Sequence, residues 1–207
     1  MTTFINLPRF PLLLMIAAIF CTAVFSPGLV AGEVSKAEQE AEFTRSEVNY
    51  QIPDITLVRK DGQKLSFLKE LDDGRPVFLD FIFSSCSAIC PMLSHTFSQV
   101  QTQLEKDNQK FHLVSVSIDP EHDSPATLTE YAKKFKAGAK WDFYTGSQED
   151  SIVIQKAFNA FRGDKMNHAS LVFMRSAPGQ PWVRLEGFLS PATLIRDYVS
   201  LSAVNKH

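Results

Sequence analysis

One stretch constrains the fold more than any other. "PVFLDFIF" is a near-continuous apolar run rich in strand formers, as expected for a strand buried on both faces of a sheet. It ends at "SSCSAICP", where three residues separate Cys86 from Cys90 and Pro91 follows at once. Proline suits the first turn of a helix, and "MLSHTFSQVQTQLEKDN" continues with helical spacing at Leu93, Phe97, Val100 and Leu104. A buried strand therefore runs through two thiols straight into a helix.

The spacing of the thiols allows two chemistries. Residues four apart in an ideal helix lie roughly 6.2 Å from Cα to Cα, near the upper end of what a disulfide spans. The same loop, opened, lets two thiolates hold a soft metal. With Pro91 opening the helix, Cys90 is expected at its cap, where free amides and the helix dipole favour a thiolate. Soft sulfur ligands favour Cu(I) or Zn(II); two thiolates and one neutral imidazole suit Cu(I), whereas thiolates tend to reduce Cu(II).

Around this centre the chain alternates strands and helices. "DITLVRKDGQKLSFL" reads as two strands about an Asp61-Gly62 hairpin turn, and "KFHLVSVSID" as a second central strand. Ser124-Pro125 and Ser190-Pro191 each open a helix. "WDFYTG" is a short strand, "QEDSIVIQKAFNAF" a helix, and "ASLVFMR" with "WVRLEGFL" an antiparallel pair. The pattern predicts an α/β fold: a mixed sheet flanked by helices, in a single thioredoxin-like domain. Seventeen phenylalanines among 207 residues predict an aromatic core.

The N-terminus reads differently. Arg9 is the only charged residue before Glu33, and Leu12–Ala31 is an uncharged apolar run. Residues 1–32 are expected to be a signal peptide or a membrane anchor, so that residues 12–31 offer membrane association. Cys21 follows Phe20 inside that run, which disfavours lipid modification. Residues 33–49 are polar and charged and read as a tether, leaving residues 50–207 as the domain. The expected location is outside the cytoplasm: periplasmic, soluble or held at the inner membrane. Cys86 and Cys90 are then the only thiols of the exported part, where they form a disulfide, bind a metal or alternate. A net charge of −2 with no basic cluster gives no reason to expect a nucleic-acid partner.

Five histidines compete to be a third ligand. His95 lies about 140° around the helix from Cys90 and should face away. His112 reads as a core or edge residue, His122 as a surface residue, and His207 is terminal. His168, in "GDKMNHASLVF", stands where a loop enters a strand, and in a thioredoxin-like domain that loop faces the cysteines.

The motifs "FSSCSAICP", "VSVSIDPEHDSPATLTEYAKKF", "WDFYTG" and "NHASLVF" resemble, in order and spacing, the Sco/SenC family over about residues 50–205. The resemblance implies a copper site, for Cu(I) and Cu(II), made by Cys86, Cys90 and His168. It also implies a partner, subunit II of cytochrome c oxidase, whose binuclear copper centre such proteins supply with copper or whose thiols they manage. The chain accordingly reads as a monomeric copper metallochaperone. The second reading is a thiol–disulfide oxidoreductase in which Cys86 and Cys90 are the redox-active, catalytic pair. A peroxidase of the peroxiredoxin kind would need an activating hydroxyl before the reactive cysteine and a fixed arginine; Arg162 and Arg175 are available without a motif. Two departures from the family pattern stand out. Asn167 replaces an acidic residue before the histidine, and Met92 and Met166 lie two residues from proposed ligands, where flexible methionines are expected as core filler. Asp119 reads either as a residue supporting the site or as an ordinary strand-ending aspartate.

Overall fold

The computed structural model describes residues 43–204; the apolar N-terminal segment, Cys21 and His207 lie outside them. Eight strands form one sheet in the order β1-β8-β7-β4-β5-β6-β2-β3. The strands are β1 (Phe43–Val48), β2 (Thr56–Arg59), β3 (Lys64–Ser66), β4 (Val77–Ile82), β5 (His112–Ser117), β6 (Trp141–Thr145), β7 (Leu171–Arg175) and β8 (Trp182–Gly187). The helices are α1 (Phe67–Leu71), α2 (Ile89–Lys106), α3 (Pro125–Lys134), α4 (Gln148–Ala157) and α5 (Pro191–Val204).

The apolar run of β4 becomes the centre of the sheet. All six of its residues are buried, as are all six of β5, and the two strands pair in parallel. On its other side β4 pairs antiparallel with β7, with Asp80 opposite Val172. The Asp61-Gly62 signal is a hairpin between β2 and β3, and Gly62 takes φ +87°, a conformation open to glycine at little cost. Ser124 caps α3 by accepting from the Thr127 N–H, with Pro125 at the start of the helix as its spacing predicts. The aromatic core is present: Phe158 lies 4.9 Å from Phe173 and 5.1 Å from Trp182 between ring centroids. The expected α/β mixed sheet flanked by helices is the fold observed.

Three local expectations change. The tether read over residues 33–49 includes β1, which pairs along β8 from Phe43 opposite Gly187 to Val48 opposite Trp182. Its alternation is hard to read because Thr44, Arg45, Ser46 and Glu47 are all exposed at the sheet edge. Arg45 bonds Asp197 of α5 at 2.9 Å, an ion pair between residues far apart in the chain. The segment after β3 turns into α1, where Ser66 accepts from the Lys69 N–H and caps a helix beginning at Phe67. Finally, the "apolar" run of β4 carries a fully buried Asp80, neither of whose carboxyl oxygens has a hydrogen-bond partner among the described residues.

Burial raises the Asp80 carboxyl to about 7. From the ordinary aspartate value up to that point, the folded chain keeps a proton that the unfolded chain has released, so stability falls as pH rises through this window. The loss should be on the order of 3 kcal/mol between pH 5 and pH 8. Asp80→Asn, which does not titrate, should remove most of this slope, read as urea unfolding midpoints at the two pH values.

Candidate metal centre

The sheet's pairing brings the site together. β4 runs to the loop holding Cys86, and because β7 is antiparallel to it, the start of β7 lies beside the end of β4. His168, three residues before Leu171, therefore meets the cysteines although 78 residues separate it from Cys90. One atom from each of Cys86, Cys90 and His168 lies within 4.8 Å of the other two, and this is the one such His, Cys, Asp or Glu cluster among the described residues.

The two thiols sit in different surroundings. α2 starts at Ile89, two residues before Pro91, so Cys90 lies inside the first turn rather than at the cap. Its side chain is fully buried, and burial pushes its pKa well above the ordinary thiol value, reinforced by charge on Cys86. The expected activation of Cys90 at a helix cap is therefore transferred to Cys86. Ala88, the cap residue, offers no side-chain acceptor. Burial opposes ionisation of Cys86, but the backbone N–H groups of Cys90, Ala88 and Ile89 favour its thiolate and leave its pKa below the ordinary value. The sulfur of Cys86 thus stands where a capping oxygen would, at the positive end of the helix. Both cysteines are free thiols.

His168 is oriented as a ligand would be. Its Nδ1–H donates to the Lys165 carbonyl at 3.0 Å, leaving the Nε2 lone pair 3.2 Å from the Cys90 sulfur. A backbone carbonyl on the far ring nitrogen is the usual device for fixing a metal-binding imidazole. Burial lowers the ring's pKa, which keeps it neutral and available. The ring packs edge-on against Phe83 at 5.2 Å.

Two acidic residues hold the surrounding loops. Asp119 accepts from Lys165 Nζ and pairs with His122 Nδ1 at 3.0 Å, so it anchors the turn whose carbonyl holds His168. It thus stands just past the end of β5 and also braces the turn that carries His168. Asp123 is fully buried and accepts from the Ser84 N–H, the Ser84 hydroxyl and Ser117 Oγ (2.6 Å), tying the strand end before Cys86 to β5. Asp123 and Lys165 were not singled out from sequence. Only the short "DPEHD" and "GDK" segments carried a signal for them, and neither specifies a partner. A cavity of about 310 Å³, lined in part by Asp119, His122, Lys165 and His168, opens beside the ring.

The competing residues lie elsewhere. His95 is exposed on α2, as expected. His112 is buried and bonds Asp142 at 3.2 Å. His122 is largely exposed. Arg175 pairs with Val77, at the end of β4 opposite the cysteines, and bonds the Leu71 carbonyl and Asp72. Arg162 bonds carbonyls of its own loop. Met92 and Met166 are not core filler: they are 53% and 72% exposed.

The SCO1/SenC family model matches residues 45–202. The chain belongs to the SCO1/SenC family. Among curated relatives, the SCO1 protein homolog of Bacillus subtilis (strain 168) is 32% identical over 106 residues, covering 51% of this chain and 54% of that protein. The match thus spans about half the length of that relative. Among solved structures, BsSco, described as a member of the Sco family of cytochrome c oxidase assembly proteins with a disulfide switch, has a TM-score of 0.64. It is 29% identical and covers 76% of this chain and 96% of its own. Arabidopsis thaliana ScoI with copper bound shares the fold, with a TM-score of 0.61 at 23% identity over 74% and 97% of the two chains. No helix among the described residues is long and apolar enough to cross a membrane.

The asymmetry of the thiols predicts selective chemistry. In the reduced protein near neutral pH, iodoacetamide should modify Cys86 before Cys90, by about tenfold or more, because Cys86 ionises more readily and Cys90 is buried. Peptide mass spectrometry of a time course reads the order directly; equal rates would contradict the capping role of Cys86.

Proposed function

We propose that this chain is an exported copper metallochaperone, with Cys86, Cys90 and His168 as its ligands. In this reading it delivers copper to, or assists assembly of, the binuclear copper centre of cytochrome c oxidase, with subunit II as its partner. The observation that carries the reading is the convergence of two sulfurs and a ring nitrogen within 4.8 Å, with the far side of the ring held by a carbonyl. Two soft sulfurs and one imidazole nitrogen suit Cu(I) as cargo, and a neutral nitrogen also gives Cu(II) a hold. A bound copper in a solved relative of the same fold supports the choice of metal.

The residues divide the work. Cys86, ionised more readily, is placed to take the ion first. Cys90 must lose a proton as copper arrives, and His168 Nε2 lies 3.2 Å from its sulfur, well placed to accept it or to let it pass to water. Binding therefore releases protons and strengthens as pH rises. Lys165 and Asp119 keep the ring aimed throughout. In this reading it acts as a monomer, and the apolar segment at residues 12–31 supports an exported, membrane-associated or periplasmic location.

The difference between the thiols favours a second reading, thiol–disulfide exchange. The Cys86 thiolate would attack a client disulfide and form a mixed disulfide, which Cys90 then resolves. Two electrons pass to the client, whose cysteines leave as thiols, and Cys86–Cys90 remains as the disulfide.

His168 separates the readings because its nitrogen would be one of three copper donors, whereas in exchange it serves only as a proton acceptor and leaves the balance between dithiol and disulfide to the two sulfurs. Reduced protein should bind one copper per chain and the disulfide form essentially none, measured by competition with a chromophoric chelator. His168→Ala should weaken Cu(I) by at least about tenfold, ~1.4 kcal/mol, and Cu(II) more, while the Cys86–Cys90 redox equilibrium stays near that of the parent. If oxidase assembly in cells fails with His168→Ala, copper handling is the function. If assembly survives that change and fails only when a cysteine is replaced, exchange is the function.

A further inference from the structure

Asp123 is fully buried, yet it is not one of the three converging donors. Its oxygens accept from the Ser84 N–H at 3.2 Å each, from the Ser84 hydroxyl, and from Ser117 Oγ at 2.6 Å. Both oxygens therefore act as acceptors, a role that the amide nitrogen of an asparagine cannot fill. Ser84 is the second residue of a turn that the Cys86 N–H closes on the Phe83 carbonyl at 3.1 Å. Asp123 thus clamps the turn that delivers Cys86.

The clamp continues to the other side of the site. The Asp123 N–H donates to the Asp119 carbonyl at 2.9 Å, and the Asp119 N–H donates to Ser117 Oγ at 3.0 Å. Asp119 accepts from Lys165, whose carbonyl holds His168 Nδ1. A continuous series of hydrogen bonds therefore runs from the turn before Cys86 to the imidazole, with Asp123 inside it. It joins segments 39 and 46 residues apart, so its effect on spacing is tertiary rather than local.

The two sulfurs differ in their freedom to move. Cys90 lies in the first turn of α2 and is fully buried, so the helix holds it. Cys86 is partly exposed, and Ser85, Ser87 and Ala88 around it are exposed. Both cysteines are free thiols, and a disulfide needs its sulfurs about 2.05 Å apart. Closing that bond therefore falls mainly to the Cys86 turn.

Building on the copper reading above, we propose that Asp123 is a positioning residue that holds the Cys86 turn back from Cys90 and at ligand distance from His168, which biases the reduced centre toward three-donor metal binding and against the disulfide. Donors already in place lose less freedom when the ion arrives. The same restraint opposes the shift that disulfide closure requires. Asp123 exchanges no proton or electron in either process. With glutathione disulfide as oxidant, one S–S bond forms between Cys86 and Cys90 as one breaks in glutathione; two electrons and both thiol protons pass to two glutathione thiols.

The test uses the full-length chain and two variants, Asp123→Asn and Ser84→Ala. In a glutathione redox buffer read by thiol trapping, the equilibrium constant for the Cys86–Cys90 disulfide should rise by about threefold to tenfold, the range expected for one lost buried hydrogen bond. Cu(I) affinity of the reduced chain, read by chelator competition, should fall by a similar factor. In a His168→Ala background, the effect of Asp123→Asn on Cu(I) should shrink to within about twofold, because the spacing to the imidazole no longer counts. An effect of full size there would overturn the link to His168. Asp197→Asn, which breaks the ion pair with Arg45 of β1, controls for general loss of stability and should leave both constants within about twofold of the parent. Should Asp123→Asn fail to fold, Ser84→Ala carries the test, since the Ser84 N–H still holds Asp123. An unchanged disulfide equilibrium in Ser84→Ala, or an equal shift in Asp197→Asn, would overturn the proposal. A parent chain that binds no Cu(I) would instead overturn the copper reading, and the redox measurement, which uses no copper, would still decide whether Asp123 restrains Cys86.

Discussion

Strand β4 hydrogen-bonds β5 in parallel and β7 antiparallel, and the rest of the site depends on that arrangement. A parallel partner brings the loop after β5 to the end of β4. An antiparallel partner brings the loop before β7 to the same place. Three loops from distant parts of the chain thereby converge beyond one end of the central strands: the cysteine loop, the Asp119–Asp123 loop and the His168 turn. Both central strands are buried throughout, so a register slip would turn Asp80 and its apolar neighbours to the wrong faces. The ligand geometry inherits the precision of the core.

Beyond that convergence, the site is organised by which group satisfies which donor. A helix start leaves N–H groups without partners, and here Cys86 rather than a hydroxyl or carboxylate faces them. That position favours a thiolate at Cys86, while burial of Cys90 favours a thiol. The same physical difference suits both proposed activities, metal capture and disulfide exchange, because both begin with one ionised sulfur and need the other to lose its proton later. In the proposed copper reading His168 belongs to the metal side, since a backbone carbonyl aims its ring and leaves Nε2 facing the cysteines.

Several misread residues show where pattern reasoning runs out. Asp80 lies inside an apolar run, and nothing in its neighbours signals that it would be buried without a partner. β1 has an exposed, polar face because it closes a sheet edge, so its strand character depends on β8, found some 140 residues later in the chain. Met92 and Met166 read as filler because methionine usually is; their exposure follows from a helix phase and a 3-10 turn that composition does not specify. Pro91 correctly marked a helix start, but the helix begins at Ile89, and that shift exchanges the roles expected of the two cysteines.

Local order and chemistry were legible in the amino-acid sequence itself. Strand and helix periods, the Ser-Pro helix starts, the Asp61-Gly62 turn and the thiol pair all rest on interactions between residues close along the chain, which leave a repeating or adjacent pattern. His168 could be named because the type of fold constrains where the loop before its strand must go. Tertiary structure alone decided which thiol ionises more readily, which carbonyl fixes the imidazole, and that Asp119 and Asp123 brace the loops around the centre. Those outcomes depend on burial, on the direction of N–H groups and on distances between segments as many as 78 residues apart. Such quantities belong to packing in three dimensions and leave no periodic trace along the chain.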